Sequence, residues 1–137
     1  MAVITLDFHS KALKMCTLVT LVVPDSVRIK GIPLSARRTV YLLHGLSEDA
    51  TAFLRLSGAE RYARAHDLVL VMPTGGRSMY CDGINGQNWF TYIAEELPEY
   101  LHLLMGLSRR REQNFIAGYS MGGMGAVSYT HLTLPTN

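Results

Sequence analysis

Residues Gly118-Tyr119-Ser120-Met121-Gly122 constrain this chain more than any other segment. They spell G-x-S-x-G. Just before them the polar pair Gln113-Asn114 gives way to the apolar run Phe115-Ile116-Ala117, and Gly123, Gly125 and Ala126 follow. A buried strand, a sharp turn and a tightly packed helix are written this way when a serine is held on a strained strand-to-helix turn, the nucleophile elbow. The flanking glycines let the turn close and let the helix approach the strand. An ordinary Gly-Ser turn is the plain alternative. The apolar strand before the motif and the small residues after it favour the elbow.

With 137 residues, 48% of them apolar, the chain can build one modest globular domain. Thirteen basic and eleven acidic side chains leave a net charge of +2, which points to neither a nucleic-acid partner nor an acidic substrate. The cluster Arg109-Arg110-Arg111 reads as a solvated helix end, where cations suit the negative end of the dipole. Cys16 and Cys81 lack metal-ligand spacing and are too few for a disulfide framework, so both read as inert thiols and no metal site is expected. The N-terminus has no basic start, continuous apolar stretch and small-residue cleavage site. No run is long enough to span a bilayer. A reduced cytoplasm is the expected location, with no membrane partner.

Val3 to Phe8 and Met15 to Val23 read as strands, the second closed by Pro24-Asp25. Ser26 to Arg38 is mostly connection. Thr39 to Leu43 is a short apolar strand ending at His44-Gly45. Ser57-Gly58-Ala59-Glu60 has the capping-box pattern for a helix running to about His66. Leu68 to Met72 is a further buried strand, ended by Pro73. Thr74 to Trp89 reads as a long loop. Tyr92 to Met105 is helical, with Ile93, Leu97, Leu101 and Leu104 on one face, Pro98 as a kink or first-turn residue and Gly106 as cap. Asn114 to Ala117 leads to Ser120. Two strands followed by alternating strands and helices imply an α/β fold with a mixed, mostly parallel sheet and helices on both faces. There is no internal repeat or linker.

A serine hydroxyl is a weak nucleophile until a base takes its proton. Acyl transfer also requires two N–H donors aimed at the developing oxyanion. One comes from the residue after the nucleophile, here Met121, and the other from the loop after an earlier strand. That loop is His44-Gly45-Leu46, so the Leu46 N–H is the second candidate. The plain alternative for this loop is a turn with a structural histidine.

Tyr41-Leu42-Leu43-His44-Gly45-Leu46-Ser47 resembles the oxyanion-loop segment of the esterase D-like α/β-hydrolases. Val71-Met72-Pro73, followed by Tyr80 and Asp82, resembles their next strand and loop. Thr91 to Pro98 resembles the following helix, and Gly118 to Ala126 their elbow. The opening, through Phe8, Ser10, Leu13 and Met15, is most similar to the tributyrin esterases of this group; S-formylglutathione hydrolases and mycolyltransferases are more distant. The resemblance covers residues 1–126. It implies an α/β-hydrolase fold and a serine carboxylesterase of short acyl esters, with a thioesterase or a non-catalytic binding protein as alternatives, and with no metal or organic cofactor. By it, Ser120 is the nucleophile, Leu46 and Met121 supply the oxyanion hole, and His44, Gly45, Gly118 and Gly122 support the motifs. Tyr80, Asp82 and Trp89 fall where the family's loop nears the active site. Asp82 precedes the serine, whereas the triad acid and histidine follow it in these hydrolases. Asp82 therefore reads as a loop-ordering carboxylate. The resemblance leaves the oligomeric state open.

His9, His44, His66 and His102 also precede Ser120, which leaves His131 alone downstream. The segment around it is anomalous. Val127 to Asn137 carries β-branched residues, alternation and a proline where the helix after the elbow should continue. It resembles a translated transposase-type sequencing adapter. The frame GTC TCT TAT ACA CAT CTG ACG CTG CCG ACG encodes Val127 to Thr136 without a mismatch, and the bases before it are compatible with Ala126. Residues 1–126 are therefore expected to be the N-terminal portion of one hydrolase domain, and 127–137 a non-native tail. Single-domain α/β enzymes commonly run to roughly 200–250 residues. The triad acid and histidine are then expected in absent sequence. The chain alone should lack triad catalysis, expose the elbow strand as a sheet edge, and aggregate or stay partly molten.

Overall fold

The computed structural model describes residues 1–133, without the side chains of residues 27 and 131–133. Strands β1 (Ala2–Ser10) and β2 (Met15–Val23) form a hairpin paired from Ser10↔Met15 to Ala2↔Val23. The connection beyond holds a short helix α1 (Ser26–Ile29) and a 3-10 turn at Leu34–Ala36. Next come β3 (Thr39–Leu43), α2 (Ala52–Leu56), α3 (Ala59–His66) and β4 (Val69–Pro73). A two-stranded ribbon, β5 (Asp82–Ile84) and β6 (Gln87–Asn88), sits in the long loop. Helix α4 (Trp89–Thr91) passes through a π turn at Tyr92–Glu96 into α5 (Leu97–Met105). Finally β7 (Asn114–Gly118) leads through Ser120 into α6 (Met121–Thr133).

The main sheet has the order β1-β2-β4-β3-β7. β2 runs antiparallel to β1 and β4, while β3 is parallel to both β4 and β7. This is the mixed sheet that the alternation of strands and helices predicts. Successive side chains of a strand face opposite sides, and the core divides accordingly. Val19, Leu21, Tyr41, Leu43, Val69 and Val71 pack on one side with Ile93, Leu97 and Leu101. Val22, Leu70 and Met72 pack on the other with Ala63, against half-buried Phe53 and Leu54 of α2. Helices thus cover both faces. Each fully buried leucine, such as Leu43, Leu97 or Leu101, contributes about 2 kcal/mol.

The sheet is less closed at its last strand. Among the described residues β7 pairs on its β3 side only, and Phe115 and Ala117 are exposed. The central strands β3 and β4 reach the same end of the sheet well covered. The polypeptide therefore presents its elbow on a sheet edge, whose open N–H and C=O groups invite pairing with another chain.

Four local expectations need correction. Helix α3 begins at an N-cap Gly58 with no side-chain cap, in place of the Ser57–Glu60 box. From the end of α2, a helix absent from the sequence reading, the Ser57 hydroxyl donates instead back to the Phe53 carbonyl, and it accepts from the Ala59 N–H at 3.2 Å. The last carbonyls of α2 need donors, and Ser57 is the nearest. On α5, Ile93, Leu97 and Leu101 are buried but Leu104 is exposed. The chain turns at the left-handed cap Gly106, and Leu107 just beyond it enters the core. Arg109 to Arg111 are solvent-exposed but lie beyond the helix, where Arg110 pairs with Glu112. Helix α6 does not falter at Val127. Low propensity costs only tenths of a kcal/mol per residue, and adding residues to a nucleated helix is far easier than starting one.

Candidate active site

Ser120 occupies the turn between β7 and α6 with φ +54°, a left-handed conformation, and is exposed. Holding a residue with a Cβ there costs roughly 1–2 kcal/mol. The turn is closed by the Gly122 N–H, which donates to the Tyr119 carbonyl at 2.9 Å, and by the Met124 N–H, which donates to the Ser120 carbonyl at 3.2 Å. Close packing makes the bend possible. A Cβ on Gly122 would stand 1.9 Å from the Leu43 carbonyl oxygen, and one on Gly118 would stand 2.4 Å from the Gly122 backbone. Without side chains at these positions, the elbow is pressed against the end of β3.

That contact brings the loop after β3 beside the serine. A Cβ built on Gly45 would lie 3.5 Å from the Ser120 Cβ and 3.0 Å from the Tyr119 ring. The Leu46 N–H has no acceptor among the described residues. Met121 begins α6, so its N–H belongs to the first turn, where helix donors lack internal partners and the dipole is positive. The loop that carries Leu46 and the elbow that carries Ser120 and Met121 therefore meet from separate elements.

His44 is fully buried, and both ring nitrogens are occupied. Nε2 accepts from the Gly75 N–H at 2.8 Å. Nδ1 faces the Gly45 carbonyl at 2.7 Å and so carries the proton. A ring committed in this way has no lone pair to offer Ser120. His9, His66 and His102 are exposed, and His102 bonds through Nδ1 to the Leu107 carbonyl at 2.8 Å. None of these rings is hydrogen-bonded to Ser120. The His131 side chain lies outside the described residues.

The loop after β4 braces the site. Tyr80 is buried; its hydroxyl donates to the His44 carbonyl at 3.1 Å, and burial pushes the phenol well above its ordinary range. Its ring lies so close to Gly75 and Gly125 that a Cβ on either would approach within 2.3 Å and 2.7 Å. Ser78 locks the turn, donating to the Gly75 carbonyl at 2.6 Å and accepting from the Tyr80 N–H at 3.0 Å. Met79 and Tyr80 both have φ +55°. Trp89 is buried and meets Tyr92 edge to face. Asp82 is exposed; its two oxygens accept from the Thr91 N–H at 2.9 Å and the Thr91 hydroxyl at 2.7 Å. It ties the ribbon to the end of α4.

Three further contacts at the site had no sequence signal. Tyr119 stands edge-on to Phe53 of α2, with centroids 5.6 Å apart. The Glu48 carboxylate accepting from the Tyr119 hydroxyl raises that phenol above its usual range. The Arg77 guanidinium donates to the Ser47 hydroxyl at 2.8 Å, a second tie between the two loops.

A family described as "Putative esterase" matches residues 10–136. The chain belongs to this esterase family. It is 28% identical over 132 residues to an acetyl esterase of Caldicellulosiruptor saccharolyticus, across 93% of this chain and 50% of the relative. Among solved structures it resembles substrate-bound FphF, a fluorophosphonate-binding serine hydrolase of Staphylococcus aureus (37% identity, TM-score 0.84, 94% of this chain and 51% of that one). It also resembles the S-formylglutathione hydrolase FrmB of the same organism (37% identity, TM-score 0.81, the same coverage). The chain thus spans about half the length of these relatives. The family and these likenesses agree with the α/β-hydrolase fold expected from the four motifs. No helix among the described residues is long and apolar enough to cross a membrane.

Proposed function

We propose that Ser120 is the nucleophile of a serine carboxylesterase that hydrolyses short acyl esters. One observation carries this reading. Ser120 is exposed on a left-handed turn at a helix start, directly beside the glycine loop after β3. Its Oγ attacks the ester carbonyl while a histidine of the full-length protein, outside this chain, takes the proton. The N–H groups of Leu46 and Met121 hold the tetrahedral oxyanion. The alcohol leaves with the proton, and water then releases the acid from the acyl-enzyme. No metal enters these steps. The cytoplasm is the proposed compartment.

The test uses the full-length protein with p-nitrophenyl acetate and a fluorophosphonate probe. Turnover and labelling should both vanish in Ser120→Ala. A folded full-length protein that neither labels nor turns over would instead favour a binding protein on the hydrolase scaffold. The likeness to FrmB supports a second reading, a thioesterase acting on S-formylglutathione. Turnover of that thioester well above the acetyl ester decides for it.

The domain boundary at Ala126 is likewise proposed. It rests on the nucleotide frame alone, since the family match and helix α6 both run past it. Sequencing the source DNA from flanking primers tests it. A reading frame that continues past codon 126 into different sequence, with an Asp and then a His, supports the boundary. A gene that encodes Val127 to Asn137 and stops removes it.

A further inference from the structure

The geometry points to His44 as a positioning residue that aims the Leu46 N–H by gripping the Gly45 carbonyl. The inference rests on the reading of Ser120 and Leu46 given above and adds the device that orients the donor. It begins with the peptide joining Gly45 to Leu46. The described chain contains no cis peptide, and in a trans peptide the C=O and N–H point in opposite directions. Whatever fixes the Gly45 carbonyl therefore fixes the Leu46 N–H the other way.

Two groups hold that carbonyl: the His44 ring through Nδ1 at 2.7 Å, and the Glu48 N–H at 3.3 Å. The turn from Gly45 to Glu48 includes Ser47 at φ +69°, so the loop is not held by relaxed backbone alone. The ring cannot swing or change tautomer freely. Its Nε2 lone pair is taken by the Gly75 N–H at 2.8 Å, which keeps the proton on Nδ1. The preceding carbonyl, that of His44 itself, is bound by the Tyr80 hydroxyl at 3.1 Å. Two successive carbonyls of the loop are thus drawn to buried side chains. The next N–H is turned away from the ring and left without an acceptor among the described residues, one residue from the glycine that lies beside Ser120. Preorganised donors that need no reorientation during the reaction are the largest single contribution in many acyl-transfer sites. In this arrangement His44 moves no proton; it acts only through the peptide it holds.

Two substitutions separate the ring's two bonds. Asparagine places an N–H donor near the position of Nδ1, and glutamine places an acceptor near Nε2. In the full-length protein, His44→Asn should keep the grip on Gly45 and hold kcat within about tenfold of the parent, while losing thermal stability through the orphaned Gly75 N–H. His44→Gln should keep the Gly75 bond and release the carbonyl. Its kcat should fall about a hundredfold, with KM changed less than about threefold. Equal losses of kcat in both variants, or an unaltered kcat in His44→Gln, would overturn the inference.

A measurement on the parent protein needs no variant to fold. The ¹⁵N spectrum of the His44 ring at neutral pH should show Nδ1 protonated and Nε2 bare. A proton on Nε2, or on both nitrogens, sinks the proposal. Failure of the underlying esterase reading looks different: the parent itself would neither turn over ester nor label at Ser120, whatever the ring spectrum shows.

Discussion

The two sides of the candidate site are held by different forces. The loop after β3 is fixed by directional hydrogen bonds from buried polar groups: His44 to Gly45 and Gly75, Tyr80 to His44, Ser78 to Gly75. The elbow after β7 is fixed mainly by excluded volume, with glycines pressed against the Leu43 and His44 carbonyls, and its side-chain tie, Tyr119 to Glu48, lies at the exposed surface. The first side belongs to a strand in the middle of the sheet, and the second to a strand on its edge. The loop should therefore fail by degrees when polar atoms are trimmed. The elbow should fail abruptly when volume is added.

The sharpest break of that contrast is Gly122→Ala. Its new Cβ would sit 1.9 Å from a backbone oxygen, which unlike a flexible side chain cannot move aside. Overpacking of this kind usually costs about 1–3 kcal/mol and more against backbone. Loss of most soluble, cooperatively melting full-length protein is expected. A melting temperature close to the parent's would mean that the elbow is not packed as described. Next in size is Tyr80→Phe, which keeps the ring and removes only the hydroxyl, leaving the buried His44 carbonyl without its donor. A loss of about 1–2 kcal/mol by denaturant titration is expected. An unchanged midpoint would remove Tyr80 from the brace. Ser120→Gly should go the other way. Glycine accepts φ +54° without the strain that serine carries, so the variant should gain about 1 kcal/mol while losing fluorophosphonate labelling. Strain kept at a reactive residue against stability is the usual trade at such sites. No gain in chemical-denaturation midpoint would argue against strain at Ser120.

The contrast also explains what could be read from the sequence. Strand β3 matches its expected limits and β7 exceeds them by one residue, because apolar runs bounded by polar and glycine residues leave the chain few alternatives. That the loop after β3 and the elbow would meet at Ser120 was legible because each sits at a fixed offset from a glycine motif. The brace was not. That Tyr80 reaches the His44 carbonyl and Gly125 depends on β3, β4 and α6 meeting at one end of the sheet, and on two consecutive left-handed residues, Met79 and Tyr80. Neither residue announces that conformation by type. Ser57 shows the same limit at short range. Its capping pattern was present, but the carbonyl four residues earlier in the preceding helix claimed the hydroxyl.

The smallest expected effect lies just beyond the oxyanion loop and tests whether its polar ties act locally. Asp49 accepts from the Thr51 N–H at 2.8 Å and from the Thr51 hydroxyl at 2.6 Å, and the hydroxyl bond, followed by the N–H, holds its carboxyl below the usual range. A carboxyl depressed in the folded state contributes stability above its unfolded pKa, and that stability is lost as pH falls through the folded value. The loss should therefore appear only on the acid side, below about pH 4. Asp49 is exposed, so solvent screening keeps the effect small. Asp49→Asn should lower the melting temperature slightly at neutral pH and flatten the acid limb, while leaving kcat unchanged. A fall in kcat comparable with that of His44→Gln would show that the loop's polar ties form one cooperative unit reaching from Ser120 to Thr51. An unchanged kcat would confine the positioning function to the ring of His44 and its immediate partners.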